Sequence, residues 1–127
     1  MKFFARIVPS VLPLLLLWSP PARAHDVEVG TSLICDTQAQ VERYISLYDG
    51  DAESTVNSVN TAEQNPTACA VVTMSYVRGR QLARARNKDT SFQIVPVLVL
   101  GLVTEEGVRE VAPAPYFSVF TVDEIAI

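Results

Sequence analysis

At Ala68 the spacing of apolar residues changes, and that change limits this chain to one broad class of fold. Upstream, Val41, Tyr44, Ile45 and Tyr48 follow the i, i+3, i+4, i+7 pattern of one helical face. Downstream, Ala68, Ala70, Val72, Met74 and Tyr76 alternate with Cys69, Val71, Thr73, Ser75 and Val77, the period of a strand with two distinct faces. A chain that switches from period 3.6 to period 2 reads as α+β, with its helices and its sheet segregated along the sequence. The expected architecture is two short N-terminal helices followed by a small, bent antiparallel sheet, or an SH3-like partly open barrel, of four to five strands.

The helical half carries its own punctuation. Asp36 or Thr37 can cap the first helix, and Gln40 stands three residues after Thr37, as a capping box requires. Asp49-Gly50 ends that helix. Asp51 starts the next, with Glu53 near its positive end and a narrower stripe of Ala52, Val56, Val59 and Ala62. Asn65-Pro66 stops it. Ahead of both, His25 to Ile34 reads as an extended entry segment that alternates through Val27 and Val29 and breaks at Gly30.

The sheet half begins with Ala68–Val77, which Arg78-Gly79 bends or ends. Phe92–Val103 is a second apolar run, interrupted by Pro96 and Gly101. Proline cannot donate to a ladder and glycine often marks a bulge, so this strand is expected to bend and to lie at an edge near Pro96. Thr104-Glu105-Glu106-Gly107 turns into Val108–Val111, Pro113 and Pro115 form a stiff connection, and Tyr116–Val122 is the last strand. Between the two long runs, Arg78 to Lys88 is rich in helix formers, yet Asn87-Lys88-Asp89 can turn directly into Phe92. Hairpin logic favours a strand there.

Residues 1–24 form a cleavable export signal. Lys2 and Arg6 precede the apolar stretch Ile7–Trp18, and Ala22-Arg23-Ala24 offers small residues at both positions that a signal peptidase reads. Twelve apolar residues broken by Pro9 and Pro13 fall well short of the roughly 20 that a spanning helix needs. No membrane span is therefore expected after cleavage following Ala24, and the address is periplasmic or secreted. Residues 25–127 form a single small domain. Loss of the signal leaves seven basic residues against fourteen acidic ones, a net charge of −7. That balance argues against nucleic-acid binding, which needs a basic footprint.

Cys35 and Cys69 are the only cysteines, and in an oxidising compartment an even count reads as one disulfide. Closing a loop of about 35 residues stabilises a fold by about 3.8 kcal/mol in the chain-entropy treatment. A redox role would call for the Cys-x-x-Cys spacing that lowers a thiol pKa, and that spacing is absent.

Candidate chemistry is thin. Five of the seven basic residues of the mature chain, Arg78, Arg80, Arg84, Arg86 and Lys88, sit within eleven positions. On a strand they share one parity with Leu82 and make a basic stripe able to bind an anionic glycan, a lipid head group or an acidic partner. The competing interpretation is a solvated face paired with carboxylates. His25, the new N-terminus, is the only histidine, so neither a paired-histidine copper site nor a His-x-x-x-His zinc site can form, and two distant cysteines do not complete a zinc tetrahedron. A calcium loop starting at Asp49 would place Ser54 and Asn60 where glycine and a bidentate carboxylate are required, so Asp49–Glu53 reads as a turn and cap. No Gly-x-Ser-x-Gly elbow or glycine-rich phosphate loop is present, and no cofactor is called for. Glu105/Glu106 and Asp123/Glu124 are candidate carboxylate pairs for a glycosidase, although adjacent carboxylates on a turn or chain end are ordinarily solvated.

Three stretches resemble short exported alphaproteobacterial proteins of unknown function. They are Cys35-Asp-Thr-Gln with Gln40-Val-Glu-Arg, Pro66-Thr-Ala-Cys69-Ala, and Tyr116-Phe-Ser-Val-Phe-Thr-Val-Asp-Glu124. The resemblance implies a periplasmic or secreted address and carries over no catalytic residue. Three functions follow as expectations: a non-enzymatic module binding a protein or cell-envelope ligand, an inhibitor of a basic enzyme such as a lysozyme, or a small carboxylate-dependent hydrolase.

Overall fold

The capping box is the first feature of the sequence to find its place in the fold. In the computed structural model, which describes residues 26–122, the Thr37 hydroxyl accepts from the Gln40 amide at 3.2 Å and the Gln40 Oε1 accepts from the Thr37 amide at 3.0 Å. Two otherwise orphaned N–H groups are satisfied at once. Helix α1 (Gln38–Leu47) follows and buries Val41, Tyr44 and Ile45. Helix α2 (Ala52–Glu63) is capped by Asp51, whose carboxylate accepts from the Glu53 amide at 3.2 Å. Val56 and Val59 are buried as expected, but Ala62 is exposed. Thr55 takes the remaining buried position, its hydroxyl donating to the Asp51 carbonyl at 2.8 Å, which removes the penalty of burying it unpaired. The export signal, His25 and the Asp123/Glu124 pair lie outside the described residues.

The helices do not come first. Strand β1 (Glu28–Cys35) precedes them and pairs antiparallel with β2 (Cys69–Arg78), in register from Glu28 opposite Tyr76 to Cys35 opposite Cys69. Gly30 does not break β1; it sits opposite Met74, and the ladder on both sides of it holds the extended backbone. What the sequence presents as an entry segment is thus a full strand. The two helices are an excursion between paired strands, and Cys35 and Cys69 stand at its two feet. Their disulfide joins Cα atoms 4.0 Å apart and 34 positions distant in sequence. Asn60 of α2 fastens the same point: its Oδ1 accepts from the Cys69 amide at 2.9 Å, and its Nδ2 donates to the Cys69 and Pro66 carbonyls at 3.1 and 3.0 Å.

The ambiguous basic segment is a strand. β3 (Ala83–Asn87) turns through Lys88 and Asp89 into β4 (Thr90–Thr104), with Lys88 at a left-handed φ of 56°. β4 is an interior strand and not the edge strand expected near Pro96: β5 runs along one side of it. β2 and β3 share its other flank, β2 pairing with Val97–Leu102 and β3 with Thr90–Ile94. Pro96 falls in the gap between them, so its missing N–H interrupts no ladder. There its carbonyl accepts from the Gly79 amide at 2.8 Å. A Cβ on Gly79 would lie 3.0 Å from Pro96 Cγ, so glycine permits this approach. Beside Gly101 the register of β4 shifts against both β2 and β5.

β5 (Gly107–Thr121) starts after the two-residue turn Glu105-Glu106 and runs as one strand of 15 residues. The prolines do not divide it into two strands. Pro115 pairs with Leu98, and the register slips between the pairs Val99–Ala114 and Gly101–Glu110, absorbing Pro113. The sheet is five-stranded and antiparallel, in the order β2-β1-β5-β4-β3 with a further β2–β4 pairing. It is curled but is not a closed barrel: β1 meets β5 at the single pair Cys35–Phe117.

Alternation along the strands produces a core on each face. Leu33, Cys35, Cys69, Phe92, Ile94 and Val119 pack against Val41, Tyr44, Ile45, Val56 and Val59 of the helices. On the other face Met74, Tyr76, Val97 and Val99 pack with Ile34, Tyr116 and Phe120, where the curled sheet covers itself.

Candidate functional site

The basic stripe expected from Arg78 to Lys88 is divided by the fold. Arg78 ends β2 and turns inward: its Nε and Nη2 donate to the two carboxylate oxygens of Glu28, both at 2.8 Å. Its guanidinium also lies 3.8 Å from the centre of the Phe120 ring, and Tyr76 stacks on that ring. The forked bond from Arg78 lowers the Glu28 pKa and raises that of Arg78. Arg78 therefore clamps the end of the β1–β2 ladder onto β5.

The other four cations lie beyond this clamp. Arg80 is in the Gly79–Leu82 link, Arg84 and Arg86 occupy alternate positions of β3, and Lys88 is in the turn; all four are exposed. Alternation explains the arrangement, since Ala83 and Ala85 pack inward on the helix-side core and leave the arginines to the opposite face. Arg86 donates to Ser91 Oγ and to the Lys88 carbonyl, each at 3.1 Å. Arg80, Arg84 and Lys88 form no ion pair with any described residue. Among the described residues β3 is the terminal strand of the sheet, so these cations border an edge that no described strand covers. Leu82 lies among them, 45% exposed.

The edge is nevertheless firmly placed. Helix α1 has no basic residue in its last turn, and its terminal carbonyls need donors. Asn87 supplies them across the fold, its Nδ2 donating to the Ile45 carbonyl at 2.6 Å and the Tyr48 carbonyl at 3.1 Å. The cations are thus presented from a strand whose far end is fixed to a helix.

A second feature shows in the sequence only as a helical stripe. A cleft of about 260 Å³ opens between the helices and the sheet, lined by Tyr44, Tyr48, Ala52, Val71, Phe92 and Val119, with Thr31, Ser32, Leu33 and Thr121 completing it. Tyr48 meets Phe92 edge-on at 5.5 Å and Tyr44 at 5.7 Å. Burial, reinforced by Tyr48, Asp49 and Asp51, pushes the Tyr44 hydroxyl up to about 12.

The carboxylates are less suited to chemistry. Glu105 and Glu106 are exposed on the β4–β5 turn, and the hollow beneath that turn is lined by the consecutive residues Thr104–Arg109. Asp49 accepts from the Asp51 amide at 3.0 Å and from Ser54 Oγ and Thr55 Oγ1. These bonds lower its pKa and make it the turn residue that the sequence indicates.

No family model, curated protein or solved structure matches this chain. The functional reading accordingly rests on the geometry of the molecule itself.

Proposed function

We propose that this protein is an exported, non-enzymatic binding module that engages an acidic protein or anionic cell-envelope ligand through the β3 edge. One observation carries the reading. In a chain with fourteen carboxylates, Arg80, Arg84 and Lys88 remain without an ion-pair partner among the described residues and cluster at one open strand edge. Interspersed charge normally finds partial compensation on a surface, whereas a single-sign cluster attracts an oppositely charged partner and speeds its encounter. The ligand belongs to the periplasm or the exterior, where the signal at residues 1–24 directs the chain and where the Cys35–Cys69 bond is stable.

The test is to crosslink the tagged mature protein in the envelope of the cell that makes it, then repeat with Arg80→Ala/Arg84→Ala. Capture that collapses in the double variant supports the reading. Hydrolytic turnover abolished by a single Asp or Glu substitution overturns it in favour of a carboxylate-dependent hydrolase.

A second reading has its own observation. Between Asp36 and Glu63 the helical layer carries six carboxylates and one cation, Arg43, which is already paired with Glu63 at 3.3 Å. Such a surface fits a basic enzyme, as an inhibitor of a lysozyme would require. Inhibition of lysozyme turnover that Glu42→Lys/Glu53→Lys relieves, with Arg80 and Arg84 untouched, is the outcome that would favour it.

A further inference from the structure

The aromatic cleft is separate from the basic edge, and none of Arg80, Arg84, Arg86 or Lys88 lines it. Its walls come from both layers: Tyr44 and Tyr48 from α1, Ala52 from the start of α2, and Val71, Phe92 and Val119 from three different strands. Tyr44 is only 4% exposed, yet its hydroxyl has no hydrogen-bond partner among the described residues. Buried tyrosine hydroxyls ordinarily find a partner, and leaving one unmade costs more than a made bond gains. The cleft opens to solvent, and apart from Thr31, Ser32 and Thr121 at its sheet side its walls are aromatic rings and aliphatic side chains, which hold water poorly.

We infer that this cleft is a binding site for a small, neutral, planar molecule whose polar end accepts a hydrogen bond from Tyr44. The aromatic walls select a ring: Tyr48 and Phe92 already stand edge to face, and an inserted ring can extend that arrangement. The volume of about 260 Å³ accommodates a single ring with a short substituent. Charge selects against an anion, because Asp49 and Asp51 are the charged groups that bear on Tyr44. Held in its protonated form well above neutral pH, the hydroxyl acts as a donor.

The probe is benzamide, a neutral ring with a carbonyl acceptor, titrated into the oxidised protein and followed by amide NMR shifts. Saturable shifts are expected at Leu33, Tyr48, Ala52, Val71 and Thr121, with an affinity of about millimolar, as befits so few atoms. Tyr44→Phe should weaken benzamide about tenfold, the loss of one hydrogen bond, while leaving benzene binding unchanged. Benzoate should bind more weakly than benzamide. Arg80→Ala/Arg84→Ala should bind benzamide as the wild type does, so failure of the edge reading and failure of this one are distinguishable. If Tyr44→Phe does not fold, Ala52→Leu, which fills the cleft from the α2 side, should abolish the shifts. An absence of saturable shifts at these residues, or undiminished benzamide binding in a folded Tyr44→Phe or Ala52→Leu protein, would overturn the inference.

Discussion

The helical layer and the β3 edge touch one another, yet they carry opposite charge. Asp36–Glu63 holds six carboxylates and a single cation, whereas Arg78–Lys88 holds five cations and no carboxylate. A charge-based attachment between them would be the obvious device, but the link actually made is neutral. Asn87 donates to two carbonyls of α1, and Ala83 and Ala85 pack beneath. Arg84 and Arg86 are turned to the opposite face by strand alternation. The fold therefore does not depend on neutralising the edge. Arg78 is withdrawn into the Glu28 clamp and Arg86 is held by Ser91 and the Lys88 carbonyl, while Arg80, Arg84 and Lys88 form no ion pair among the described residues.

This separation can be broken in order of effect. The largest change should come from the feet of the helical excursion. Cys35→Ser/Cys69→Ser frees the ends of the loop and should lower stability by about 3.8 kcal/mol, measured by urea unfolding. An unchanged midpoint would mean that the β1–β2 ladder alone holds the helices in place. Next is the neutral link. Asn87→Ala removes two bonds to α1 and should cost roughly 1–3 kcal/mol, with the loss of amide-exchange protection concentrated in the last turn of α1. Uniform loss of protection would show that the edge is not a separate attachment.

The Glu28–Arg78 clamp should have a smaller, pH-dependent effect. Glu28 ionises below its usual value of 4.5 in the folded protein. The folded state therefore binds the proton less readily than the unfolded state does. The stabilisation is fully present above about pH 4.5 and is lost as pH falls through the lower folded value. Because the pair is partly exposed, the effect should not exceed about 1 kcal/mol. Comparing acid unfolding of the wild type with Glu28→Gln should show this slope only in the wild type. Smallest of all, Arg84→Ala should change stability by no more than about 0.5 kcal/mol. A larger thermal shift would make Arg84 a structural residue and remove it from the binding edge.

What could be read from the chain was local. The capping box, the turn at Asp49 and the irregularity at Gly101 depend on residues a few positions apart, and each stands where the sequence puts it. The rank of β1 was hidden, because Val29 is exposed and the strand is defined by pairing with β2 some forty residues later. The unity of β5 was hidden likewise: prolines that read as a connection are carried by a register slip against β4. At the site, the basic cluster was visible as composition, but the removal of Arg78 depends on Glu28, fifty positions away. The cleft was not visible at all. Tyr44 and Tyr48 satisfy a helical stripe whether or not the sheet leaves space beside them.

Leu47 and Leu82 offer the most direct test, since they are equally exposed, at 43% and 45%, on the acidic helical layer and the basic link. A photo-crosslinking amino acid placed at each position in turn, in the cell that makes the protein, samples the two regions side by side. Adduct formation at position 82 but not at 47, abolished by Arg80→Glu/Arg84→Glu/Lys88→Glu at unchanged thermal stability, is the predicted result. An adduct at position 47 alone, or one at 82 that survives charge reversal, would contradict it.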